Sequence, residues 1–191
     1  MSVRERNKAR VRQEILDAAW RLFADRGYAA VTTEEIASAA GVSTSTYFRY
    51  VPTKEDLLLA PVLDSATQLV ALFAEQPDGL GGVRALAATI HDRTAQIRDR
   101  DLRRWRSAMR TAPEVIDRVT LIGEAQRAAL TREMARRLGE PEDALRPALV
   151  VDLLVTAAAF AYRRWLAGSR ESTLVDTIDA ALGETIDGPW R

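Results

Sequence analysis

Apolar residues at Val11, Ile15, Ala18, Ala19, Leu22 and Phe23 recur at helical spacing, and this period returns almost everywhere along the 191 residues. Such a stripe puts its apolar side chains on one face of a helix about five turns long. No run of β-branched residues alternates strictly between apolar and polar, so the pattern dictates an all-α fold. Gly27 ends the first helix, because glycine enters the left-handed region without a Cβ clash.

Caps and breakers then divide the chain. Thr32-Thr33-Glu34-Glu35 reads as a capping box, in which the Thr32 hydroxyl accepts from the Glu35 amide and the Glu35 carboxylate reaches back. The helix it opens carries Ile36, Ala37 and Ala40 and stops at Gly41. Ser43 caps a third helix over 44–50, and Pro52 ends that one. Thr53-Lys54-Glu55-Asp56 starts a fourth, with Lys54 in its first turn and Pro61 inside it, running to about Glu75. Further helices are expected over 83–97, 101–110, Pro113 to Leu138, and from Pro147 through Ala161 to a stop at Gly168-Ser169. The last is expected over Ser172 to Leu182, making about nine helices.

With no cysteine and a single histidine, His91, thiolate sites, multi-histidine metal sites and disulfides are excluded. No metal or other cofactor is expected. The 27 basic and 27 acidic residues cancel, which by itself argues against nucleic acid. Their distribution reverses that. Residues 1–12 carry Arg4, Arg6, Lys8, Arg10 and Arg12 against Glu5 alone. Residues 13–60 carry Arg21, Arg26, Arg49 and Lys54 against seven acids: Glu14, Asp17, Asp25, Glu34, Glu35, Glu55 and Asp56. The basic start lacks the apolar stretch of a secretory signal. The apolar segment from Pro147 to Ala161 contains Asp152 and is too short to span a bilayer, so no membrane partner is expected and the chain is placed in the cytoplasm. A helix apolar all round must be covered all round. It is either an ordinary core helix or, with the last helix, the interface of a homodimer through 147–167 and 172–182. The homodimer is the favoured reading, with Val151→Arg as the change expected to break it.

Ala37, three residues and Gly41, followed by a short capped helix, are the sequence form of a helix-turn-helix. The third helix crowds Thr44, Ser45, Thr46, Phe48, Arg49 and Tyr50 together. These are groups that meet phosphates and base edges, and few of them favour packing. Residues 10–60 resemble the DNA-binding domain of TetR-family transcriptional regulators. The resemblance runs ungapped through Ile15-Leu16-Asp17-Ala18-Ala19, Leu22 to Tyr28, Thr32 to Ala37, Ala40 to Ser43, Thr46 to Tyr50 and Lys54 to Leu58. It implies a helix-turn-helix domain over 1–53 with a flexible basic N-terminal arm at a phosphate or the minor groove. A helical effector-binding and dimerisation domain follows over 54–191.

By the resemblance, the third helix enters the major groove of a double-stranded DNA operator. Thr44, Ser45 and Arg49 would meet base edges, with Arg49 bidentate to guanine. Thr33, Thr46, Tyr50 and Lys54 would meet phosphates. Tyr47 would be buried, and Phe48 would touch a thymine methyl. The later helices would enclose a small-molecule effector that shifts the spacing of the two recognition helices. Leu102 to Glu114 loosely resembles members with an acyl-CoA-like ligand domain. Ile90, His91, Trp105, Met109 and Phe160 are the candidate pocket residues. Arginines 98, 100, 103, 104, 106 and 110 are either a solvated face or contacts to an anionic head group. The functional expectation is a non-enzymatic, ligand-responsive repressor. Two alternatives compete with it. An enzyme using His91 as base lacks any nucleophile elbow or phosphate loop. A helical dimer without DNA specificity is disfavoured by the hydroxyl-rich third helix.

Overall fold

The computed structural model describes residues 2–97, 99–116, 121–168 and 172–188. Among them it is helical without strands. The helices are α1 (Val3–Arg26), α2 (Thr33–Ala39), α3 (Thr44–Tyr50), α4 (Asp56–Glu75), α5 (Gly82–Ala95), α6 (Asp99–Met109), α7 (Pro113–Ile116), α8 (Glu124–Leu138), α9 (Leu145–Ala167) and α10 (Leu174–Asp187), with a 3₁₀ turn at Asp78–Leu80. The stretch from Pro113 to Leu138, expected as one helix, is two. α7 stops at Ile116, and α8 starts after Gly123, whose backbone is extended at φ −82° and ψ 176°. Glycine loses the most conformational entropy on entering a helix, so it breaks one readily.

Three other expectations are corrected. The basic start is no flexible arm, because α1 already begins at Val3. The Glu5 amide donates to Ser2 Oγ (3.2 Å) and the Ser2 amide donates to Glu5 Oε2 (2.6 Å), a capping box that closes the first turn. That Ser2 backbone bond holds the Glu5 carboxyl below its usual range. α4 begins at Asp56, so Lys54 precedes the helix and is not in its first turn. α9 spans 23 residues and begins at Leu145, two before the expected Pro147, while its end at Ala167 meets Gly168, where the stop is expected. In length and composition alone, α4 and α9 would each suffice to cross a membrane. Ser169 lies outside the described residues.

The chain divides into two compact units, Met1–Ala60 with Asp99–Val119, and Pro61–Arg98 with Thr120–Arg191. By packing, α6 and α7 cluster with α1–α3. The core of the first unit is Ile15, Trp20, Phe23, Ile36, Tyr47, Leu57 and Leu58, with Trp105 and Met109 from α6. Two indoles secure the start of α4. Pro61 has no N–H, so the carbonyl of Leu57 loses the partner that an unbroken helix would give it. Trp20 Nε1 donates to that carbonyl at 2.9 Å, and Trp105 Nε1 donates to the next one, Leu58 O, at 2.8 Å.

In the second unit α9 packs against α10, α8 and α5 around Leu86, Leu130, Met134, Val151, Leu166 and Ile178. Arg137 of α8 supplies a cap that the end of α4 lacks in its own sequence. Its guanidinium, 1% exposed, donates to Phe73 O (2.9 Å), Gln76 O (2.7 Å) and Glu133 Oε1 (2.7 Å). Two of these bonds go to backbone carbonyls at the end of α4, where a helix runs short of its own amide donors.

Candidate nucleic-acid interface

The helix-turn-helix is built by local chemistry. Thr32 and Glu35 form the expected capping box on α2, and Arg26 pairs with Glu35 at 2.8 Å. Ala37, 1% exposed, lets the next turn pass close, and its carbonyl accepts from the Val42 amide at 3.0 Å. Gly41 sits at φ +68° with open space where a Cβ would be. The requirement for glycine there is therefore one of backbone conformation, not of room. Ser43 caps α3 by accepting from the Thr46 amide (3.2 Å) and donating to Thr46 Oγ1 (3.0 Å).

This framework sorts the residues of α3. Thr44, Ser45, Phe48 and Arg49 are exposed, and Thr46 and Tyr50 are half-buried. Phe48, a large apolar side chain, is 49% exposed and rests edge-on against Tyr47, ring centres 5.2 Å apart. The Arg49 guanidinium lies 5.2 Å from the centre of the Tyr50 ring. Tyr47 is fully buried, as expected of a core position. Its hydroxyl finds no hydrogen-bond partner, and burial pushes the phenol up to about 12. Thr33 stands half-buried at the first position of α2 and donates to Glu34 Oε2 at 3.1 Å.

Lys54 is placed differently from a free phosphate ligand. Its Nζ donates to Tyr28 O (2.8 Å) and Val31 O (3.0 Å) and lies 4.3 Å from the centre of the Tyr28 ring. Two of its three N–H donors thus hold the connection between α1 and α2. The sequence carries no signal for this, because the acceptors are backbone atoms in another loop.

The five candidate effector residues divide between the two units. Trp105 and Met109 are buried in the first unit, 2% and 0% exposed. They pack there because α6 belongs to that unit, with the Trp105 N–H already used by Leu58 O. Ile90 is buried in the second unit. His91 lies on its surface, Nδ1 2.8 Å from Asp179 Oδ1 of α10. Phe160, 55% exposed, lines an open groove of about 890 Å³ with Arg163, Arg164, Trp165, Asp176 and Thr177. Of the arginines, Arg98 and the side chain of Arg100 lie outside the described residues. Arg103 and Arg104 share a cleft with Glu14, Asp17 and Asp25, Arg106 is buried and Arg110 is exposed.

A short capped helix presenting hydroxyls, an aromatic ring and an arginine behind a tight turn defines a helix-turn-helix DNA-binding protein. Comparison with known proteins carries this to a family. Residues 15–60 match the model for bacterial regulatory proteins of the tetR family, and residues 81–188 match the MftR C-terminal domain. The chain is similar to the transcriptional regulator TcmR of Streptomyces glaucescens, 25% identical over 97% of this chain and 85% of that protein. It is 28% identical, over 95% of this chain and 90% of the other, to MftR of Mycobacterium tuberculosis, named for regulation of mycofactocin biosynthesis. SmeT of Stenotrophomonas maltophilia shares the fold, with a TM-score of 0.60, 21% identity and coverage of 92% and 88% of the two chains. The chain belongs to the TetR family of transcriptional regulators, DNA-binding proteins that are not enzymes.

Proposed function

We propose that this regulator is a homodimeric repressor that binds a palindromic operator through α3 and is released by a small hydrophobic or acyl-type effector. One observation carries the reading: the exposed set Thr44, Ser45, Phe48 and Arg49 on a helix held rigid by Ser43 and by buried Tyr47. Hydroxyls can serve any base edge, and an exposed phenylalanine suits a thymine methyl. Thr33, Thr46 and Tyr50 stand at the margins of that surface, where phosphates run. Lys54 contributes mainly by fixing the loop between α1 and α2, with one N–H left for a phosphate. Repression then follows from occupancy, since a dimer seated over a promoter excludes the polymerase.

Dimerisation is supported by the outer face of α9. Leu145, Leu149, Leu153 and Phe160 are 80%, 50%, 51% and 55% exposed, and their spacing of 4, 4 and 7 residues is one helical stripe. Ala180 and Gly183 on the outer face of α10 leave room for a second copy to approach. Val151 is not part of this face. It is 0% exposed and points into its own unit, so an arginine there destroys the fold instead of splitting a dimer. The acyl-type effector is supported by the resemblance of Leu102 to Glu114 to members with an acyl-CoA-like ligand domain. Thermal shifts with acyl-CoAs, fatty acids and aromatic compounds test it, and no shift with any of them removes that reading. The experiment that tests the function is selection of duplexes from random DNA at low salt. Enrichment of an inverted repeat supports it, and enrichment of nothing refutes it.

A further inference from the structure

Arg4, Asn7, Lys8 and Val11 are spaced i, i+3, i+4 and i+7, so they share one face of α1. That face meets the last turn of α3. Between the two lies a cleft of about 510 Å³ lined by Arg4, Asn7, Lys8, Val11, Arg49 and Tyr50. Three of these six are cations and none is an acid. Among the described residues no carboxylate pairs with Arg4, Lys8 or Arg49, whereas their neighbours Arg10 and Arg26 pair with Glu14 and Glu35. The one acid of the segment, Glu5, is held in the Ser2 cap. Asn7 Oδ1 accepts from Arg10 at 3.2 Å, which leaves its amide N–H groups as donors. The Tyr50 ring beside the Arg49 guanidinium limits where that group can point.

Three like charges lining one cleft without a counter-ion repel one another. The arrangement becomes favourable when an anion enters. We propose that this cleft is a backbone phosphate site for the DNA that α3 reads, formed jointly by Arg4 and Lys8 of α1 and Arg49 of α3. The proposal rests on the DNA-binding reading above. It moves Arg49 from a base edge to a phosphate, and it turns the basic start of the chain into part of a rigid site. A minor-groove reader needs a side chain projecting alone into a groove about 6 Å wide, while these cations converge beside an aromatic ring. Because Ser2 and Glu5 have already fixed α1, binding does not need to order a tail.

The test uses the full chain and two duplexes, one selected by the wild-type protein and one of scrambled sequence, with affinity measured by fluorescence anisotropy across a salt series. For the Arg4→Ala/Lys8→Ala double variant, the plot of log affinity against log salt flattens by about two per half-site on both duplexes, roughly one for each cation lost. The ratio of the two affinities stays at the wild-type value. Arg49→Ala flattens the slope by about one more, again with the ratio unchanged. Alanine has the highest helix propensity, so far-UV circular dichroism is unchanged, and the Arg4→Gln/Lys8→Gln variant behaves in the same way. A wild-type slope in the double variant, with the selected duplex still preferred, overturns the cleft while the DNA-binding reading stands. A fall in the ratio for Arg49→Ala also overturns it, because Arg49 then reads a base. A wild-type protein that prefers neither duplex overturns the DNA-binding reading and the cleft with it.

Discussion

Replacing Trp20 by phenylalanine asks whether an indole N–H stands in for the amide that Pro61 lacks. The Leu57 carbonyl is inside the first unit, at a residue 0% exposed, and accepts from Trp20 Nε1 at 2.9 Å. Phenylalanine keeps most of the ring volume and removes the donor. Stranding a buried carbonyl costs about 1–3 kcal/mol, and the smaller ring adds about 1 kcal/mol of lost packing. The expected loss is about 2–4 kcal/mol, or roughly 4–16 °C in Tm for a chain of this size. Pro61→Ala supplies an amide at position 61 that can reach Leu57 O in a regular helix. In that background the carbonyl keeps a partner, so Trp20→Phe costs only its packing share. A double-mutant cycle by guanidinium denaturation should therefore give a coupling of about 1–2 kcal/mol. Additive effects, with a coupling within about 0.3 kcal/mol of zero, would refute the reasoning.

Three further outcomes are expected. Tyr47→Phe removes a buried hydroxyl that finds no partner, so denaturation should show stability raised by about 1 kcal/mol, with operator preference unchanged. Leu149→Arg or Leu153→Arg, on the exposed stripe of α9, should give monomers by sedimentation velocity with wild-type helicity, while Val151→Arg should lose helicity. The hydrogen bond that His91 donates to Asp179 raises the His91 pKa, partial burial opposes it, and the charges of Asp179 and Asp92 add to it. The stabilisation is thus present in full below the unfolded pKa and is lost as pH rises through the folded one. Because both side chains are nearly half exposed, the gap between wild type and His91→Gln should be about 0.5 kcal/mol near pH 6 and should close as pH rises through the folded pKa.

The sequence makes the helix-turn-helix legible because its signals are local. The Thr32–Glu35 box, the Ser43 cap and Gly41 each act within four residues, so reading along the chain finds them. Ser2 and Glu5 carry the same spacing as Thr32 and Glu35, yet the basic run between them and Val11 lacks an apolar stripe, so by pattern alone the first turns of α1 read as an arm. What depends on distant partners is hidden. Lys54 resembles a phosphate ligand until two backbone carbonyls of another loop accept hydrogen bonds from it. Trp20 looks like plain core until Pro61 is placed four residues after Leu57. In α9 nearly every position is apolar, so periodicity cannot tell Val151, which faces inward, from Leu149 and Leu153, which face out. Trp105 and Met109 had the composition of a pocket, but the packing of α6 into the first unit decides where they go.

The central claim is that α3 recognises DNA sequence as part of a dimer. The most direct measurement is the affinity of the purified protein for its selected duplex and for a scrambled one at physiological salt, with the mass of each complex determined alongside. Two protomers on one inverted repeat and a preference of about a thousandfold or more are expected. Equal affinity for the two duplexes, or a single protomer on the selected one, would contradict it.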